Sequence, residues 1–440
     1  VNPFVLPSNA LLKSVNMTHN RVGQLSTRAG YVAFLNAVDA NSVRSLIPFV
    51  KNDGSTKRLL RVSGTAVYSW DYAAANWGAS IKTLTDSTVP LGAVFFPDTN
   101  KLVCGNGVDV TFSFAGTTLA NIAAAPLGKY FDVYQNRVVT SGVVANPFRV
   151  YASKIADETN WTEDAADASA AQHIDVNGII YGQKVSADKV TIFHSNGIAR
   201  WDIDSKVELP TSVALANAAS LTANEECWFF ANKAAIYVYN NLSFPKAVSR
   251  SIETIFRNGA KASAGTVVSA AYKDIVYFSL GATTDIDAET ISNCLAAYSY
   301  QDNYFEIHSL AHLITAMAVT ATGLLVFGDS VGNTWEWNSG VLDSTSTING
   351  HIETPPLFTS KELTVFDTVT VFSNGAPIDV FYSVNGGEHR ALGTVDSTVK
   401  TFAFPPDTMG NYIQFNFASA AAFTLSGLIV SPRSSRKGER

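Results

Sequence analysis

The residues of this chain that could do chemistry are seven histidines, three cysteines and a scatter of neighbouring carboxylates. The acids that stand in pairs are Asp157/Glu158, Glu163/Asp164, Asp202/Asp204 and Glu225/Glu226. A glycoside hydrolase needs two such groups roughly 5–10 Å apart across a cleft, one to protonate and one to attack or activate water. Each pair here falls at a strand end or in a loop, where acids ordinarily face water, so solvation is the expected role. Asp285, Asp287 and Glu289 alternate on one loop and could offer oxygen ligands to Ca²⁺. That loop lacks the turn glycine of a calcium hand, and a solvated tip is expected. His308 and His312 would share a face of a helix, but Phe305 to Leu310 alternates as a strand does, which robs the spacing of meaning. Cys104, Cys227 and Cys294 are far apart, odd in number and outside any Cys-x-x-Cys spacing, which argues against a disulfide framework or a zinc site. No Gly-x-Ser-x-Gly, His-Glu-x-x-His, Walker or Rossmann pattern is present. The reading is of a protein that is not an enzyme, with no catalytic residue, cofactor or metal.

The composition points the same way. The chain has 440 residues and a formal net charge of −6. Nucleic-acid and membrane-surface binders need a positive footprint, so this balance argues against both. Charged residues make up 15% and hydrophobic ones 47%, against about 25% charged in ordinary domains. A surface so poor in charge is expected to be covered in part by copies of itself or by partners. The same numbers exclude disorder. No run of apolar residues is long enough for a transmembrane helix, and the opening Val-Asn-Pro-Phe-Val-Leu lacks the layout of a signal peptide. A chain made in a cytoplasm and soluble until assembled is expected.

The elements that must position these residues are short alternating runs joined by tight turns. Arg58–Ser63 leads through Gly64 to Ala66–Trp70, and Lys101–Cys104 leads through Gly105-Asn106-Gly107 to Val108–Phe112. Val190–His194 leads to Ile198–Trp201, Glu226–Phe230 to Ala235–Tyr239, and Leu324–Gly328 to Thr334–Trp337. Each reads as strand, turn, strand, with an aromatic near the end of the second strand. The units recur at roughly 35–50 residues, the spacing of β-propeller blades. About six or seven fit between residues 30 and 345. The third, near Phe131–Val139, carries a loop from Asp157 to Ala171, and the sixth carries one from Ala282 to Ser292. Tyr31–Leu35 is the candidate strand to close the ring. Helical patterning is poor; 164–171 and 213–221 allow a turn or two. From about 346, six short strands read as a small β-sandwich. The expected fold is therefore all-β, with an extended segment at 1–29, a β-propeller at 30–345, a β-sandwich at 346–432 and a basic tail at 433–440.

Two stretches look like the Asp-box turn of sialidase propellers, Gly328–Trp335 with Ser330 where the Asp belongs, and Ser383–His389 with Asn385 there. That box is a structural hairpin and says nothing of catalysis. A carbohydrate-binding or glycan-cleaving propeller, the alternative reading, requires an axial funnel holding two acids, faced by Trp70, Trp201 and Trp335. A general interaction scaffold is the third reading. Lys57, Arg58 and Arg61 form a basic patch expected to be solvated.

The order of parts resembles the nozzle, or distal tail-hub, proteins of short-tailed bacteriophages, which include the packaged-DNA stabilisation proteins. Asn16, then Gly23 to Tyr31 with Arg28 and Gly30, resembles that family's "Asn … Gly-x-x-x-x-Arg-Pro-Gly-aromatic" lead-in, with Ala29 where proline is usual. Glu353-Thr354-Pro355, Tyr382 to Gly387 and Gly410 to Phe415 resemble its C-terminal sandwich motifs, with Asn385 and Asn411 in place of the usual Asp and Arg. The resemblance implies a virion protein that forms a ring, commonly six-fold, beneath the head–tail adaptor and portal. It implies genomic DNA passing through the lumen without specific binding, and possible attachment of tail fibres or spikes. No membrane is involved. The partner contacts expected from the sequence are Phe4 and Leu6 in the apolar opening segment, and Arg433, Arg436, Lys437 and Arg440 in the basic tail.

Overall fold

The computed structural model describes residues 13–19, 24–34, 39–186, 189–209, 211–223, 227–240, 244–285, 288–357 and 363–432. Phe4, Leu6, Arg433, Arg436, Lys437 and Arg440 lie outside the described residues, as do Glu225, Glu226 and Asp287. The chain divides into two compact units, one from 33–303 and 312–337, the other from 1–32, 304–311 and 338–440.

The larger unit is a propeller of seven blades. Its inner strands, in chain order, are Val43–Val50, Gly92–Phe96, Tyr130–Tyr134, Ile180–Ser186, Thr222–Ala223, Val268–Tyr272 and Ile314–Val319. The first six blades continue outward by neighbours in sequence order. The ring closes because Ile314–Val319 packs on Val43–Val50 on one side and on Val268–Tyr272 on the other. The strand ending at Ala33 is the outermost of the last blade, and the Phe34 N–H donates to the Thr334 carbonyl at 2.8 Å. That is the closure expected for Tyr31–Leu35, with Leu35 itself outside the described residues.

The turns follow from residue type. In the third blade Tyr130–Tyr134 pairs with Arg137–Ser141, and both turn residues are left-handed, Gln135 at φ 48° and Asn136 at φ 53°. This is the twist a two-residue hairpin needs. Alternate residues of each strand then face opposite neighbours, and the space between blades fills with apolar side chains. Leu60, Val62, Leu102, Cys104 and Phe112 join blades one and two. Trp70 lies with Val43, Leu59 and Val326 between blades one and seven, and Trp201 lies with Val139 and Ile192 between three and four. Burial holds the Cys294 thiol up at about 12 and pushes that of Cys104 higher still, so these cysteines are packing groups.

Several local expectations are corrected. After Lys101–Gly105 the chain does not turn straight back at Val108. Asn106 accepts the N–H groups of Val108 and Asp109, which makes a longer turn, and the next strand is Phe112–Phe114. In the sixth blade Ile275–Thr284 and Thr290–Ser299 form a long hairpin, so much of the expected loop is strand. Of 213–221 only Ala218–Ser220 is helical, as a 3₁₀ turn, and 164–171 is a succession of turns. Two short helices were not expected: α1 (Glu253–Asn258) and α2 (Ala260–Ala264), between the fifth and sixth blades. Phe256 is buried from α1, and α2 ends at Gly265, whose φ of 69° and N–H to the Lys261 and Ala262 carbonyls form a left-handed cap.

Asp329, not Ser330, organises the Asp-box-like hairpin. One oxygen accepts the N–H groups of Val331 (3.0 Å) and Asn333 (2.8 Å). The other accepts Asn333 Nδ2 and Trp335 Nε1, both at 2.9 Å. Asp329→Ala is expected to destabilise the protein by about 3 kcal/mol, because a buried indole N–H and two backbone groups lose a charged acceptor. Urea denaturation at pH 7 measures this, and a change within 0.5 kcal/mol, the ~0.5 kcal/mol scatter of neutral surface changes, would contradict it.

The other unit is a two-sheet sandwich. One sheet runs Tyr304–His308, Lys13–Val15, Gly350–Glu353, Ile413–Ser419, Ile378–Val384, Arg390–Val395. The second runs Met17–His19, Leu25–Thr27, Phe423–Pro432, Thr364–Gly375, Val399–Ala403. Met17, Leu25, Ile352, Val369, Val380, Phe415 and Phe417 share its core. Lys13–Val15, Met17–His19 and Leu25–Thr27, in the segment expected to be extended, are therefore strands of the sandwich. Asn16, left-handed at φ 58°, lets the chain step from one sheet to the other.

His308 is buried at 1% exposure. Burial, with the nearby Arg28 charge, holds its imidazole well below the ordinary value of 6.5, although the Glu306 carboxylate is 3.7 Å from Nε2. The folded state keeps this ring neutral while the unfolded chain protonates near 6.5, so its stability contribution is complete above that pH and falls below it. Stability should decline by up to about 1.4 kcal/mol per pH unit between pH 6.5 and 5. Urea midpoints across that range test this, and a flat profile there would contradict it.

Candidate functional site

The residues that carry the family resemblance serve architecture. Arg28, 3% exposed, makes a bidentate pair with Asp343, Nη1 to Oδ1 at 2.7 Å and Nη2 to Oδ2 at 2.6 Å. Its Nε donates to Asn16 Oδ1 at 3.1 Å, and its Nη groups also donate to the carbonyls of Ala29 and Ser309. The sandwich motifs meet each other. Thr354 Oγ1 accepts the Phe415 N–H at 3.0 Å, Tyr382 pairs with Phe415 and Ser383 with Gln414, and Asn385 Oδ1 accepts the Asn411 N–H at 2.7 Å. A Cβ on Gly410 would lie 2.1 Å from Val384 Cγ1, so only glycine fits there.

The described acids named by the sequence do not converge. Asp157 accepts Thr159 Oγ1 and N–H, and Asp202 accepts Ser205 in the same way. These hydrogen bonds, the side-chain ones foremost, hold both carboxyls below the ordinary value, the opposite of the shift a general acid needs. Glu158 is buried and paired with Lys101 Nζ at 2.9 Å. Glu163 meets His173 Nδ1, and Asp164 caps the Ala166 N–H. Asp285 accepts the Glu289 N–H, closing a turn. Among the described residues no group of three metal-ligating side chains comes together. His308 and His312 fall in different units, and His312 stacks on Trp335 with ring centroids 4.4 Å apart. The basic patch is also corrected. Arg58 pairs with Asp71 at 2.8 Å, but Arg61 is fully buried, 3.8 Å from Asp39 and against the rings of Tyr68 and Trp77. It stands on the face of its strand that looks toward the neighbouring blade.

Two features were not read from the sequence. The first is a cavity of about 250 Å³ at the propeller axis, lined from all seven blades. Among the described residues its charged lining groups are Arg44, Lys129 and Lys184, with no carboxylate. Trp70, Trp201 and Trp335 are buried and are not among its lining residues. The second is an exposed apolar face. In a four-stranded blade, the turn between second and third strands and the connection to the next blade emerge at the same end. At that end lie Val108 and Val110, Leu127, Val144 and Phe148, and Ile179, all exposed, with Val144 at 78% and Phe148 at 49%. The segments adjoin: Gly107 N–H donates to Gly128 O, Val176 N–H to Phe148 O, and Ile180 N–H to Pro147 O. Exposed apolar residues spread singly are ordinary, but contiguous ones mark interaction surfaces. They come from four turns of the second to fourth blades, and the packing of neighbouring blades brings them together.

No protein-family model matches the chain, and no curated protein matches it. Among solved structures it is similar to the WD40 β-propeller domain of Doa1, at 10% identity and a TM-score of 0.46, over 70% of this chain and 96% of that one.

Proposed function

We propose that this chain is a structural protein of a bacteriophage tail, one subunit of a ring that extends the portal–adaptor channel, retains packaged DNA and conducts it during ejection. The observation that carries the reading is the contiguous apolar face of the propeller, on a chain in which only 15% of residues are charged. Such a face costs free energy in water and is offset when another copy covers it. The motif residues shared with the tail-nozzle proteins support it further, because each serves the propeller-and-sandwich layout that the resemblance implies. The partners are further copies of the chain, six in the usual arrangement of the resembling family, and the head–tail adaptor with its portal. A net-negative, charge-poor ring suits a channel through which DNA slides, since phosphate-binding cations would hold it. The virion is the place of action. Nothing in the described acids favours glycan cleavage, because the axial cavity has no carboxylate in its lining. Electron microscopy of the purified chain, alone and mixed with the adaptor, tests the reading. Rings with a central channel are expected; single-chain particles under both conditions would overturn it.

A further inference from the structure

We propose that the propeller axis is a binding site for a small multivalent oxyanion, one that carries phosphate or carboxylate groups. The cavity is built by the ring itself, since each of the seven blades contributes to its wall. At about 250 Å³ it has room for about eight waters at ~30 Å³ each, or one compact ligand. Its charged groups are of one sign, and Ser45, Gln183, Asn217, Ser269 and Thr315 add neutral polar side chains to the wall. Arg44, at the start of the first inner strand, donates through Nη1 to the Val89 carbonyl and through Nη2 to those of Gly64 and Asp86. Those bonds fix the guanidinium, while its Nε is buried without an acceptor. Lys129, at the start of the third inner strand, makes no ion pair among the described residues, and its Nζ stands 5.6 Å from the centre of the Tyr130 ring. Lys184 is 3.7 Å from Asp132 and partly exposed. Ser269 adds a buried hydroxyl with no partner.

Asp86 lies close enough to act on both charges but is not among the residues that line the cavity. Asp86 is turned to its own loop, where it accepts Thr88 Oγ1 and the N–H groups of Thr88 and Val89. Two cations thus face a shared cavity with no counter-ion in its wall. Partial burial lowers the pKa of both Lys129 and Arg44, and Asp86 offsets only part of that shift. Among the described residues, the wall side-chain atoms left without a partner include Arg44 Nε and the Ser269 hydroxyl, both able to donate. An oxyanion would find two cations and a hydroxyl there, and its charge would offset part of the cost of burying them.

Calorimetric titration of the whole chain at constant ionic strength tests the site, with pyrophosphate in one arm and citrate in the other, against sodium chloride. Saturable binding of either anion is expected, with a matching rise in melting temperature. Pyrophosphate alone would identify a phosphate ligand, citrate alone a carboxylate, and both a site that reads charge. Lys129→Met, which removes no hydrogen bond, is expected to weaken binding at least tenfold and to leave the unliganded melting temperature the same or higher. If that variant does not fold, Ser269→Ala is expected to weaken binding about threefold. Neither anion binding above the chloride control would overturn the proposal, as would binding unchanged in the variant that folds. The outcome is independent of whether the chain assembles into rings.

Discussion

Replacing Val144 and Phe148 together by aspartate is expected to leave the propeller folded and to abolish assembly, reducing the particle to the mass of one 47.1 kDa chain. Both side chains are exposed in the isolated chain, so within it the substitutions cost little, of order ±0.5 kcal/mol. In a ring each interface loses the burial of both, about 1.5–3 kcal/mol apiece, and gains two desolvated carboxylates. The loss recurs at every interface of a closed ring. Sedimentation of the variant beside the parent protein measures the mass, and melting temperature measures the fold. Rings that persist with the double substitution would remove the apolar face from the assembly.

Arg28→Ala is expected to destabilise the sandwich unit by about 3–5 kcal/mol. The change removes a bidentate partner from Asp343, which is itself buried, and leaves that carboxylate with no counter-charge at 2.6 Å. It also withdraws donors from Asn16 and from the carbonyls of Ala29 and Ser309. Arg28→Lys should recover only part of the loss, because an ammonium cannot reproduce the planar fork. Pairing Arg28→Met with Asp343→Leu should recover more, since two apolar groups leave no charge unpaired. Chemical denaturation of the four proteins gives the ordering, and a loss under 1 kcal/mol for Arg28→Ala would show that water or another group replaces the guanidinium.

The blades were legible because their information is local. A hairpin such as Tyr130–Ser141 announces itself by alternation on both sides of two turn residues that tolerate positive φ. After residue 363 it is the alternation within each sandwich strand that is legible and not its pairing: Ile378–Val384 meets its chain neighbour Arg390–Val395, but Thr364–Gly375 pairs with Val399–Ala403 and Phe423–Pro432. Lys13–Val15 and Leu25–Thr27 read as extended chain because they have remote partners: Val15 pairs with His351, and Leu25 with Leu425. Helices α1 and α2 are too short to show a repeating apolar stripe; Ile252 and Phe256 give one turn of it, and Gly259 and Gly265 are the stop signals. The exchange of Asp329 for Ser330 could not be seen because a turn can take its acceptor from either position.

The candidate site was less legible. Arg44, Lys129 and Lys184 are unremarkable in three separate strands, and only closure of seven blades places them around one cavity. Val108, Leu127, Val144, Phe148 and Ile179 are likewise scattered apolar residues of turns until the packing of neighbouring blades aligns those turns. The acid pairs, by contrast, were visible at once and meant little, because adjacency in sequence says nothing of convergence across a cleft. Asp157 and Asp202 spend their oxygens on the turns that contain them.

Native mass spectrometry of the chain, alone and with its head–tail adaptor, bears most directly on the ring. A discrete particle at a fixed multiple of 47.1 kDa, six-fold in the pattern of the resembling family, is the expected result in at least the adaptor-bound sample. A single chain of 47.1 kDa in both samples would contradict it.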